Sequence, residues 1–187
     1  MKYIAAFCFF FVLMNPMFSQ VKFEKEYRLK ENEVSKKAVA YTSMFGFKKD
    51  VKWYGEESQD GKSIEAKGKV NKHTYSVEFT TDGNLIDIEK RIAFKELDKN
   101  EQILINNLLC TSFNKFSIKK VQLQFTDIDK NDINKLTAGL ITNYNYEIVV
   151  KGKKKSTYHL YEFLISKKGK ILKELKFSPV NTDNLEF

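Results

Sequence analysis

Arginine is almost absent from this chain. Of its 32 basic residues, only Arg28 and Arg91 are arginines. Base-edge readout and bidentate phosphate clamping both rely on the planar guanidinium, so the formal charge of +8 does not point to nucleic acid. Lysine carries that charge, and its long-range field suits an acidic partner or an anionic envelope surface. Cysteine is equally scarce, with Cys8 and Cys110 alone. Cys8 lies in a segment expected to be removed, so no intramolecular disulfide can form in the remainder and stability must come from an apolar core. Cys110 falls on the apolar side of an expected helix, which predicts a buried, inert thiol. Histidine is limited to His73 and His159, too few for a catalytic zinc site with its three protein ligands. The chain also lacks a G-x-S-x-G elbow, a phosphate loop, a Gly-rich dinucleotide turn and a Cys–His constellation. No cofactor, metal site or catalytic residue is expected.

The apolar run Ile4–Met14 is too short for a membrane-spanning helix, which needs roughly 20 residues. Lys2 precedes it, and Pro16 and small Ser19 follow it, in the three-part layout of a secretory signal peptide. Residues 1–19 are therefore expected to be a leader, with a mature chain from Gln20, exported to the periplasm or beyond and without a stable transmembrane anchor.

What the chain does contain is one hairpin written twice. His73-x-Tyr75-x-Val77-x-Phe79 runs into Gly83 and out through Leu85. His159-x-Tyr161-x-Phe163-x-Ile165 runs into Gly169 and out through Ile171, with every position displaced by 86. A period of that length predicts two copies of a domain-sized unit. Val34, Ala38, Tyr41 and Phe45 recur at helical spacing, predicting a helix over Glu31–Phe45 that stops at Gly46. Strands are predicted at Val51–Glu56, Ser63–Val70, His73–Thr81 and Leu85–Ile92. Asp98 with Glu101 then reads as a capping box, opening a helix with Ile105, Leu108, Leu109 and Phe113 on one face. Strands follow at Phe116–Phe125, Tyr144–Val150, Thr157–Ser166 and Ile171–Phe177. The expected fold is α+β: two tandem units, each one helix plus a four-stranded antiparallel meander, with helices packed on one face of the sheet. The units would cover residues 20–95 and 96–187, the second carrying an insertion at 126–142.

Tyr75-Ser76-Val77-Glu78-Phe79, then Asp82-Gly83-Asn84-Leu85-Ile86-Asp87-Ile88-Glu89, with Val51-Lys52-Trp53 ahead of them, resemble the PepSY-like family with the tandem-repeat fold of beta-lactamase inhibitor proteins. The second copy departs from the string, with Lys168 in place of Asp82 and Glu174-Leu175 in place of Ile88-Glu89. The resemblance implies an exported, non-enzymatic binding protein, in some members an inhibitor.

Asp127-x-Asp129-x-Asn131 opens like a calcium loop, but Asp132 stands where that loop needs Gly and Ala138 where it needs Glu. The expectation there is helix capping. His73 and His159, equivalent in the two copies, are expected to be structural. Asp87 and Glu89 alternate along one strand and are read as surface charge; a hydrolase using them would need a deep pocket around them. The copies differ on the face turned away from Tyr75, Val77 and Phe79. Thr74, Ser76 and Glu78 are polar there, whereas the second copy has Leu160, Glu162 and Leu164, with Tyr158 just before. That apolar face requires either a cover, from the insertion or the C-terminal tail, or a partner. Tyr158, Leu160 and Leu164 are thus the candidate interface, toward an envelope or extracellular protein. The alternative is a carrier of a small molecule or lipid in the cell envelope.

Overall fold

A computed structural model describes residues 20–48 and 50–178; the expected leader, 1–19, lies outside them. Ten strands and three α-helices follow in chain order. They are β1 (Gln20–Lys22), β2 (Glu24–Leu29), α1 (Lys36–Thr42), β3 (Lys52–Ser58), β4 (Gly61–Val70), β5 (His73–Thr80) and β6 (Leu85–Ile92), then α2 (Lys99–Ser112), β7 (Lys115–Phe125), α3 (Ile133–Thr137), β8 (Asn145–Lys154), β9 (Thr157–Ser166) and β10 (Ile171–Phe177).

All ten strands form one sheet in the order β1-β10-β9-β8-β7-β6-β5-β4-β3-β2. Every neighbouring pair is antiparallel except β1 with β10. Only Phe23 separates β1 from β2, so one N-terminal segment pairs with both outer edges and brings the sheet close to a barrel. Edge strands left open invite foreign pairing, and closure removes that exposure.

The expected pair of helix-plus-four-strand units is corrected by this arrangement. β6 pairs with β7 from Ile88 opposite Phe125 to Ile92 opposite Val121, so the ladder continues through the point where one unit would end. About half of the described residues are in strands, and the three α-helices are short. The reason is a shared core. Tyr75, Val77 and Phe79 on β5, and Tyr161, Phe163 and Ile165 on β9, face the same side and join a single apolar cluster. Burying one continuous face stabilises more than burying two small ones, because small domains leave proportionally more surface wet.

The helices pack on that face. Ser35 caps α1, its Oγ accepting from Lys37 N at 3.3 Å, and Gly46 adopts the left-handed conformation after the terminal 3₁₀ turn. Val34, Ala38, Tyr41 and Phe45 are all buried, as their spacing predicts. Beneath α2, Phe113 meets Phe163 edge-on at 5.7 Å. Cys110 corrects its expectation: it is exposed, one residue beyond buried Leu109 and so rotated about 100° off the core-facing stripe. Asp129 caps the insertion as expected, its Oδ1 accepting from Asn131 N at 2.8 Å. The two histidines have different surroundings. His73 Nδ1 lies 3.3 Å from the Arg91 carbonyl oxygen, whereas His159 sits edge-on to Tyr161.

Gly68 and Gly152 admit aromatic rings onto the sheet. A Cβ at Gly152 would lie 2.4 Å from the Phe113 ring, and one at Gly68 2.4 Å from Phe47. Gly152→Ala is expected to cost about 1–3 kcal/mol through this overpacking, read as a lower urea midpoint at unchanged slope. An unchanged midpoint would show that Phe113 yields without cost.

Candidate binding cleft

Turning one face outward to the helices leaves the other to line the interior. A cleft of about 970 Å³ occupies it, with wall residues from every strand, from Lys22 on β1 to Leu175 on β10. The wall is built by alternation. Thr74, Ser76 and Glu78 point inward between core residues of β5, Asp87 and Glu89 between those of β6, and Lys120, Gln122 and Gln124 between those of β7. Glu147 and Glu162 complete the charged ring from β8 and β9.

The lysines are shared among carboxylates. Lys22 Nζ lies 2.6 Å from both Glu24 and Glu162. Lys67 bridges Glu26 at 3.0 Å and Glu65 at 2.9 Å, and Lys120 lies 3.5 Å from Glu147. No described salt bridge reaches Glu56, Glu78, Asp87 or Glu89. Their carboxyls are accordingly shifted upward. Burial, reinforced by Glu24 and Glu78, pushes Glu56 up to about 8. Burial and Glu78 push Asp87 up to about 7, against a hydrogen bond from Gln124.

Glu89 is raised well above the carboxylate range by burial, then by Glu147 and Asp87. Burial pushes Glu147 up as well, but Lys120, a hydrogen bond with Glu89 and Lys22 together hold it below its ordinary value. The two neighbouring carboxyls are thus pushed in opposite directions. Burial also raises Glu78 and Glu162. The surface-charge expectation for Asp87 and Glu89 is corrected, because the curled sheet buries Asp87 and half-buries Glu89 in the cleft wall.

Tyr158, Leu160 and Leu164 share the inward side of β9, but the fold does not gather them at one point. Leu164 lines the cleft beside Glu162 and Leu175. Leu160 is half-buried opposite Lys151. Tyr158 is exposed, with Lys151 and Lys153 ammonium groups 5.9 and 5.6 Å from its ring centroid. Sequence reasoning passed over Lys22, Glu56, Lys120, Gln122 and Glu147. Their signal was present as charged residues alternating with apolar ones along successive strands.

Among the described residues, no three His, Cys, Asp or Glu side chains are grouped to hold a metal ion, and no helix is long and apolar enough to cross a membrane.

The nearly closed sheet with helices on one face has a BLIP-like fold. A BLIP-like protein from Bacteroides fragilis matches with a TM-score of 0.51 and 13% identity, over 82% of this chain and 92% of that one. A DUF2874 family protein from Bacteroides ovatus matches with a TM-score of 0.51 and 15% identity, over 76% of this chain and 87% of that one. No family model and no curated protein matches the chain. At this identity the likeness establishes architecture alone.

Proposed function

We propose that this chain is an exported, non-catalytic binding module, PepSY-like in family and inhibitor-like in mode, that takes a group of an envelope or extracellular protein partner into its cleft. The observation that carries the reading is the cleft itself, where carboxylates outnumber the lysines that pair with them. Leu164 and Leu175 add an apolar strip to the wall, and Tyr158 stands exposed along the same strand, as an aromatic anchor would. The neighbouring BLIP-like protein is consistent with such a role. Lipid carriage fits poorly, since an acyl chain here would desolvate carboxylates without giving them hydrogen bonds.

Acid–base catalysis is the second reading, favoured by one observation. Glu89 is raised and Glu147 lowered, the divided behaviour of an acid–base pair. It ranks second because Glu56, Glu78, Asp87 and Glu162 all move upward together, which is mutual crowding.

The test is affinity capture from envelope extract with three proteins: wild type, Tyr158→Ser combined with Leu164→Ser, and Ile103→Asp. Ile103 is exposed on α2, on the helix side of the sheet, and serves as the control. One protein should be held by wild type and Ile103→Asp and fall at least about tenfold, the ratio of 1.4 kcal/mol, with the double variant. Equal capture by all three would overturn the reading.

A further inference from the structure

At one place in the cleft, two acceptors are left over after the neighbouring amides have donated. Gln124 Nε2 donates to Asp87 Oδ2 at 2.8 Å, and Gln122 Nε2 donates to Glu89 Oε2. Asn145 Nδ2 in turn donates to Gln124 Oε1 at 3.4 Å. Each of these amides thus directs one N–H to a neighbour within the wall. Asp87 Oδ1 and Gln122 Oε1 remain without a hydrogen-bond partner, although the two residues are only 6% and 5% exposed. A buried polar atom left unpaired costs about 1–3 kcal/mol, and here two lie on adjacent strands of one wall.

Five lysines of the cleft pair with carboxylates other than these, Lys22 with Glu24 and Glu162, Lys62 with Glu57, Lys67 with Glu26 and Glu65, Lys120 with Glu147 and Lys173 with Asp60; Lys52, Lys69 and Arg91 line it as well. Glu78, opposite Asp87 in the ladder, has no described salt bridge. The unmet need is for hydrogen-bond donors. Metal ions supply charge without N–H groups, and no metal-holding group of side chains exists among the described residues. An ammonium offers three donors and no acceptor, and a guanidinium five. Either would form charge-assisted hydrogen bonds, the stronger kind.

We propose that Asp87, Glu89, Gln122 and Gln124 form a subsite for an organic cation bearing N–H donors, an ammonium or guanidinium, supplied as a free polyamine or as a basic side chain of a partner. The proposal rests on the reading of the cleft as a binding site and names the chemistry that enters it.

Calorimetric titration of the purified protein at neutral pH and low salt tests this with spermidine, trilysine and tetramethylammonium, the last a cation without N–H groups. Spermidine or trilysine should bind saturably, and tetramethylammonium at least about tenfold more weakly. Asp87→Asn and Gln122→Met should each weaken binding about tenfold or more. Asp87→Asn removes a crowded charge, so its folding, checked by circular dichroism, is expected to hold. Tighter spermidine binding would assign the free polyamine, and tighter trilysine binding a partner's side chain; both uphold the subsite. No binding of either probe, equal binding of tetramethylammonium, affinity unchanged in both variants, or binding of calcium alone would overturn it. Such a failure alongside Leu164-dependent capture would leave the docking reading standing. Intact cation binding without that capture would sink the docking reading alone.

Discussion

The protein is expected to melt at least about 5 °C higher at pH 5 than at pH 8, the reverse of ordinary carboxylate behaviour. Burial and Glu24 push Glu56 to about 8, burial and Glu78 push Asp87 to about 7, and Glu78, Glu89 and Glu162 are raised too. Unfolded carboxyls ionise near pH 4. Between about pH 4 and 8 the native state therefore holds protons that the unfolded chain has released. Stability from these groups is complete below the unfolded values and falls as pH rises through the folded ones.

A tenfold difference in proton affinity between the folded and unfolded chain is worth about 1.4 kcal/mol. The total is smaller than the separate carboxyls imply, because neighbours share protons. Glu147 runs the other way, being held below its ordinary value. Its contribution is lost only as pH falls below that value, outside the pH 5–8 window. Calorimetric melts at constant ionic strength across that window measure the slope. Glu56→Gln should flatten it and raise the melting temperature at pH 8. A melting temperature that is flat or rises with pH in wild type would show the cleft carboxyls to be solvated.

The local part of this fold was readable because strand alternation and turn chemistry are local. Leu85–Ile92, Thr157–Ser166 and Ile171–Phe177 are strands over the predicted residues, each bounded on one side by a Gly-containing turn. The strands β1 and β2 went unread, although Val21, Phe23, Tyr27 and Leu29 alternate with Lys22, Glu24, Glu26 and Arg28. Val21, Phe23 and Tyr27 are exposed, so the pattern has no buried face to announce it. Their role comes from pairing with β3 and β10 at once, a relation between distant segments. The site failed to show for the same reason. Alternation assigned Glu78 to the face opposite Phe79, but only closure turns that face into an interior. Asp87 and Glu89 look like surface charge on a flat sheet and become a buried and a half-buried acid when it curls.

Glu101→Ala is expected to destabilise the fold by about 3–4 kcal/mol, far more than a capping residue alone is worth. The sequence shows the capping box, and the structure contains it: Glu101 N donates to Asp98 Oδ1 at 2.9 Å, and Asp98 N donates to Glu101 Oε2 at 3.1 Å. The second oxygen was not legible. Glu101 Oε1 accepts from the hydroxyls of Tyr144 at 2.8 Å and Tyr146 at 2.7 Å, tying the first turn of α2 to β8 and its approach. Tyr146 is fully buried, so truncating Glu101 strands its hydroxyl. Burial, then the hydrogen bond to Glu101, raises both tyrosines well above their ordinary values. They therefore stay donors until strongly alkaline pH.

The contributions separate in a double-mutant cycle read by urea unfolding. Tyr146→Phe removes the hydroxyl that Glu101→Ala leaves stranded, so the pair together should cost less than the two single changes added, by about 1 kcal/mol or more. Glu101→Gln keeps an acceptor oxygen and should lose less than Glu101→Ala. Strict additivity, or a loss below about 1 kcal/mol for Glu101→Ala, would reduce Glu101 to an ordinary cap and leave the docking of α2 to apolar packing.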